Sequence, residues 1–293
     1  RYPRGRRVML AIYRREMTAY LVTPVGYIFI GFFLLVSGFF VSSQNFLTGS
    51  PAYTDVLANL TFMFLLVVPI LTMRLFSEEK KQKTFVLLVT SPLRPAAIVI
   101  GKYLAAESVF LITLFATCIY PILMSFHGSL AGWEILGSYV GFFLLGSCFI
   151  SVGLCISSLT ENQVSAAVAT FAVLLLLWLA GTIQQGLPIS EGSGLLFALI
   201  IATAAGAYAY YIQHTLLAGV LTALTGYVVI VVIFIVDRTI FEGLVVRVFQ
   251  WFSLLDRFEQ FNLGVLDLRP IVFYLTFSSL FLFITVRIIE ERR

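Results

Sequence analysis

Few side chains in this chain could do chemistry. Its 293 residues include two histidines, His127 and His214, far apart and without metal-ligand neighbours at useful spacing. The three cysteines, Cys118, Cys148 and Cys155, each fall inside a long apolar run. There they read as small packing residues, with no support for a disulfide or a metal site. Gly101-Lys102 lacks the upstream glycine and the following hydroxyl of a phosphate-cradling loop. No serine stands in a Gly-x-Ser-x-Gly elbow. One acid, Glu107, lies within an apolar run, where an ionisable group is a functional candidate by default. It also lies near enough to Lys102, or to interfacial water, to be satisfied structurally. No carboxylate cluster offers a path for protons or sodium. The expectation is a chain that is not an enzyme, with no metal and no cofactor of its own, whose uphill work would be driven by a partner.

What remains is one dense island of charge at 74–95, holding Arg74, Glu78, Glu79, Lys80, Lys81, Lys83 and Arg94. The chain is 60% hydrophobic and 12% charged, with a mean hydropathy of +0.99. Uncharged runs of about 20 residues match the thickness of a bilayer. They lack the alternation of membrane strands, so they are helices. The fold class is all-α, a polytopic membrane bundle with about eight transmembrane helices. The spans are expected at 24–43, 57–73, 96–126, 135–159, 164–183, 195–212, 215–236 and 270–286.

Basic residues resist translocation and so orient the bundle. Of the 19 basic residues, four (Arg238, Arg247, Arg257, Arg269) fall in the 237–269 loop, beside five acids; the other 15 fall in segments that share the N-terminus's side. Both termini are then cytoplasmic, which requires an even number of spans and makes 195–236 a hairpin, not one long tilted helix. The net charge of +4 reflects contact with anionic lipid, not nucleic acid. No cleavable signal peptide is expected, since the first apolar run is too long.

The whole of 1–293 is expected to form a single permease domain. Residues 1–23 form an amphipathic helix, with Met9, Leu10, Tyr13, Met17 and Tyr20 on one arc and Arg7, Arg14, Arg15 and Thr18 opposite. Such a helix lies along the inner leaflet, though the same residues would also serve as a plain basic topogenic tail. Pro24 breaks it, and Pro69 and Pro121 kink the second and third spans. Gly137 and Gly141 permit close helix approach. In the outer loop, Phe241, Leu244, Val245, Val248, Phe252 and Leu255 recur at helical spacing, giving one or two short helices with Trp251 at interface depth. Those helices either gate a path or cap the bundle.

The island has the build of a docking element: a mixed-charge turn, then a short helix with Phe85, Leu87, Leu88 and Val89, stopped by Pro92 and Pro95. Tied to a span at each end, such a helix can transmit a rigid-body push. An ordinary positive-inside loop is the other reading. A second inner contact is the tight polar loop Ser158-Leu159-Thr160-Glu161-Asn162-Gln163.

These residues carry a family resemblance. Leu10-Ala11-Ile12-Tyr13-Arg14-Arg15-Glu16, Thr23-Pro24-Val25-Gly26-Tyr27, Met73-Arg74-Leu75-Phe76-Ser77-Glu78-Glu79, Ile100-Gly101-Lys102-Tyr103, the 157–163 loop and Phe258-Glu259-Gln260-Phe261 occur in order along nearly the whole chain. The chain resembles type-2 ABC exporter permeases, in the branch that includes the gliding-motility permeases. The resemblance implies an elbow helix (Arg7, Tyr13, Arg14, Arg15, Glu16), a six-span core, and a coupling helix at 83–91 (Lys83, Thr84, Phe85, Leu87, Leu88, Ser91) approached by Glu78 and Glu79. It implies a separate ATP-binding subunit that holds ATP and Mg, contacts at Glu161, Asn162 and Gln163, and a second permease copy, with room for an auxiliary membrane protein. The expected setting is the bacterial cytoplasmic membrane, and the expected work is outward movement of an amphiphilic or hydrophobic substrate. A scaffold or sensor that uses the same ATPase without transport is the alternative. The hairpin at 195–236 departs from the six-span pattern.

Overall fold

A computed structural model of the chain describes residues 3–50, 52–85, 94–126, 131–187 and 189–291. All regular structure among the described residues is helical. Backbone polar groups inside a bilayer have no water to bond, so each span must satisfy its own. Among the described residues, eight segments are long and apolar enough to cross: Pro24–Phe46, Tyr53–Lys81, Pro95–Ser125, Gly132–Leu159, Gln163–Ile183, Glu191–Ile212, Leu216–Val236 and Leu268–Glu291. The second runs eight residues past its expected end at residue 73, so the first charges of the island cap a span. An apolar window stops at the first charge; a helix continues when its charges find counter-charges.

Contacts divide the chain into two compact units, Arg1–Leu176 with Leu254–Arg293, and Leu177–Ser253. The first begins with α1 (Pro3–Val22) and α2 (Pro24–Val41), which is extended by a π-turn at Ser42–Phe46. The second span is built from α3 (Tyr53–Leu60), a 3-10 turn at Thr61–Met63, α4 (Phe64–Thr72) and α5 (Ser77–Lys81). Next come α6 (Pro95–Thr117), α7 (Ile119–Ser125), α8 (Gly132–Leu159) and α9 (Gln163–Gly186), whose second half belongs to the other unit. Pro24 and Pro95 each open a helix at its first turn, where the missing N–H costs nothing. The third span breaks between Thr117 and Ile119. Thr117 lies four residues before Pro121, so its carbonyl is the one that loses an N–H partner.

Phe64, Phe110, Phe142 and Phe149 form the centre of this unit, with the Phe64 and Phe142 ring centroids 4.5 Å apart. Around them, α8 packs on α4, α6, α13 (Leu255–Asn262) and α14 (Leu268–Glu291). α14 runs parallel to α8. Cys148 Sγ lies 3.2 Å from both the Tyr274 carbonyl and Ser278 Oγ, and Cys155 meets Thr285 one register step further on. α1, the end of α5 and the last turns of α14 therefore share one end of the unit. α13 closes the opposite end. Its Phe258 and Phe261 are buried, and a Cβ on Gly137 or Gly141 would come within 2.8 Å or 2.7 Å of Phe261. The expected Gly-x-x-x-Gly approach is thus made by a loop helix. Tyr274 Oη donates to the Leu254 carbonyl at 2.7 Å and fixes the start of that helix.

In the second unit, α10 (Glu191–Gln213) and α11 (Leu216–Val236) pack against each other along close approaches of Gly206 to Gly219 and Ala223. The chain reverses at His214, which adopts a left-handed backbone with φ 50°. The segment is thus two helices, the hairpin expected from the sequence. Where the sequence reading inserts a hairpin at 195–236 into one domain, the compact unit is larger and includes α12 (Leu244–Phe252). The outer-loop helix breaks at Ser253, so the face expected to run from Phe241 to Leu255 is shared between units.

Gly141→Ala will lower the denaturation midpoint in detergent, by about 1–3 kcal/mol of overpacking. Gly31→Ala, where nothing lies within 4 Å of the added Cβ, will not.

Candidate functional site: a charged junction of three helices

At the shared end of the first unit, four charged side chains from three elements meet. α1 presents Arg15 and Glu16, α5 presents Glu79, and α6 presents Lys102. Lys102 is 1% exposed, and its Nζ lies 2.9 Å from Glu16 Oε1 and 3.1 Å from Glu79 Oε1. Arg15 closes the set from the solvent side, 2.6 Å from Glu16 Oε1 and also paired with Glu79. Two cations alternate with two carboxylates, so the buried ammonium is compensated, as a charge out of water must be. The Phe76 ring covers Lys102 at 5.2 Å. Burial alone would raise the Glu16 carboxyl, but the neighbouring Lys102 and Arg15 outweigh it and hold it below the usual carboxylate value.

Close packing of α1 on α6 brings these groups together. A Cβ on Gly101 would meet the Met9 carbonyl and the Ile12 side chain at 3.1 Å, so the glycine sets the spacing. Tyr13 Oη lies 3.0 Å from Ser108 Oγ. Ile12 and Tyr20 are buried while Leu10 is exposed. The inward arc of α1 is therefore centred on Met9, Ile12, Glu16 and Tyr20, and Glu16 faces the protein rather than the membrane surface. Arg14 is exposed, and the Arg7 side chain lies outside the described residues. Tyr20 Oη donates to the Leu71 carbonyl at 2.7 Å, and Arg74 reaches Thr23 Oγ1 at 2.8 Å while covering the Tyr20 ring.

The break between α4 and α5 frees backbone groups, and α8 takes them up. Ser157 Oγ accepts from the Phe76 and Ser77 amides at 3.1 and 3.3 Å. Lys80 donates to the Ser158 carbonyl. This places the island beside the 160–163 loop, where Asn162 Oδ1 caps α9 through the Val164 amide at 2.9 Å. Glu161 is exposed and Gln163 opens α9. After α5 the chain turns at Lys83, with φ 58°, and the Thr84 amide returns to the Glu79 carbonyl at 3.0 Å. Glu78 accepts from Gln82. Phe85 meets Phe76 edge-on at 6.4 Å with Lys80 over its ring. Leu87, Leu88 and Ser91 lie outside the described residues.

Glu107 is not part of this junction. It lies five residues beyond Lys102, about 140° further around the helix at 100° per residue, so Lys102 cannot serve it. One Glu107 oxygen accepts from Ser147 Oγ and the other is buried without a hydrogen-bond partner. Sequence reasoning missed the Lys102 partnership and the role of Ser157. A signal existed: a lone base seven residues into an apolar helix and a lone acid in a basic helix are each costly without the other.

Among the described residues no group of three or more His, Cys, Asp or Glu could hold a metal ion. What the junction does is fix α1, the end of the second span and the third span in one register. A family model described as ABC-2 family transporter protein matches residues 15–191, more than half of the chain and all four charges of the junction. No curated protein matches the chain.

Lys102→Met will leave two half-buried carboxylates with Arg15 alone and lower stability by about 2–3 kcal/mol, at or below the scale of a broken buried pair. Because the folded carboxyl of Glu16 is lowered, its contribution is present above the ordinary carboxylate value and is lost as pH falls through the folded value. Denaturation midpoints against pH should show that acid loss in the native chain, and Lys102→Met should move it to higher pH.

Proposed function

The chain belongs to the ABC-2 transporter family, and from that membership we propose that it is the transmembrane permease subunit of an ATP-driven exporter, related to the gliding-motility permeases. A separate subunit binds and hydrolyses ATP. That subunit docks on the segment 83–91, through Thr84, Phe85, Leu87, Leu88 and Ser91, with Glu78 and Glu79 at its approach and Glu161, Asn162 and Gln163 as a second contact. Two permease copies enclose the path, and closure of the ATPases drives an amphiphilic or hydrophobic substrate outward. The junction end faces the bacterial cytoplasm, consistent with the basic residues gathered there.

The observation that carries this reading is the anchoring of α5. Glu79 is held by Lys102 from α6 and Arg15 from α1, and Lys80 by the end of α8. A load applied at Phe85 therefore reaches two spans and the first helix without first straightening a flexible loop.

In the complex reconstituted with its ATP-binding subunit, Phe85→Ala combined with Glu78→Ala, which leaves the Glu79 pairing intact, should weaken association about tenfold, equivalent to one lost contact of about 1.4 kcal/mol. Transport-linked ATP turnover should fall with it. Unchanged association and turnover would show that docking occurs elsewhere.

A further inference from the structure

A groove of about 540 Å³ runs along the first unit between α6–α7 and α8, on the side away from the junction. Leu111, Phe115 and Ile122 form one wall, and Leu136, Val140 and Phe143 the other. Several of these side chains are strongly exposed, Phe115 at 67% and Ile122 at 57%, so the groove is open along its length. Both walls lie within segments that cross the membrane. Its surroundings are therefore hydrocarbon.

Length and width identify what fits. From Leu111 to Ile122 the wall is eleven residues long, about 16 Å at 1.5 Å per residue. That is one leaflet's share of a hydrocarbon core of about 30 Å. Spread over that length, 540 Å³ gives a mean cross-section of about 34 Å², room along the whole wall for one extended alkyl chain.

Among the described residues, the walls are almost wholly apolar. The Tyr139 hydroxyl, the main polar group lining the groove, is engaged by Tyr53 Oη at 2.8 Å and Thr117 Oγ1 at 3.2 Å. Cys118 Sγ lies 3.7 Å from the Leu114 carbonyl. Trp133 follows Gly132 at the end farther from the junction and is 67% exposed, the placement of an aromatic at headgroup depth.

We infer that this groove is a lipid-binding site that seats one acyl chain of a phospholipid from the leaflet opposite the junction. The site depends on the spans lying in a bilayer and is independent of the exporter reading. Ring and branched side chains give a concave surface, so the chain seated there exchanges more slowly than bulk lipid.

The test uses the full chain in bilayers of phosphatidylethanolamine and phosphatidylglycerol, doped with a phospholipid carrying a diazirine midway along one acyl chain. After irradiation, adducts located by mass spectrometry should be several-fold denser on 111–122 and 132–144 than on the exposed face of α11 at Val220, Leu224 and Val228. Val140→Trp, which fills the groove, should remove that excess while adducts on α11 persist. If the tryptophan variant does not fold, Leu136→Phe gives a smaller filling and should reduce the excess in part. Equal labelling of groove and α11 would overturn the inference. So would groove labelling below that of α11 together with a change of oligomeric state in Val140→Trp, because a second copy would then cover the face.

Discussion

An ammonium group that is 1% exposed cannot stand alone, and the arrangement of this end of the protein follows from that constraint. Lys102 lies on the third span, but the carboxylates it needs come from α1 and α5. Satisfying one charge therefore fixes the rotation of α1, the extension of the second span beyond its apolar stretch, and the depth of the third. Arg15 completes the neutrality from outside. Gly101, one residue before Lys102, provides the closeness that ion pairing requires.

The same logic of obligatory satisfaction recurs wherever a helix is interrupted. The turn between α4 and α5 exposes amides that α8 accepts through a single serine hydroxyl. At the opposite end, Tyr274 anchors α13 through a carbonyl, and two glycines admit its phenylalanine. Polar groups serve as fasteners between elements, while the four phenylalanines at the centre supply bulk and shape. Opposite ends of the unit are thus secured by different means, charge at one and packing at the other.

Much of this was legible in the residues. Eight spans, the breaks at Pro24 and ahead of Pro121 and the reversal near His214 follow from hydropathy and backbone chemistry, which are local; Pro69 lies inside α4 without interrupting it. The identity of partners across 64 to 86 residues of chain is not local, and it was missed. Lys102 read as a basic residue at a membrane edge and as a neighbour for Glu107, because linear proximity suggested both. Helical rotation decides otherwise. Glu16 likewise read as surface, since its basic neighbours dominate the polar face; only the packing of Ile12 and Tyr20 reveals the direction of the inward arc. The outer-loop apolar period allows one helix or two; the structure has two, parted at Ser253, with Tyr274 bonded to the Leu254 carbonyl beside the break.

The separation between Glu16 and Lys102 also has a bearing on biogenesis. These residues are 86 positions apart, and a ribosome adds about 5–20 residues per second. For several seconds after Glu16 is made, its buried counter-charge does not yet exist. During that interval α1 has arginines to hold it near anionic lipid, and α2 and the second span offer only part of the surface that its inward face needs. It can settle only when the third span arrives. α1 is thus synthesised before the partner that fixes it, and insertion of the third span is the event that locks it in place.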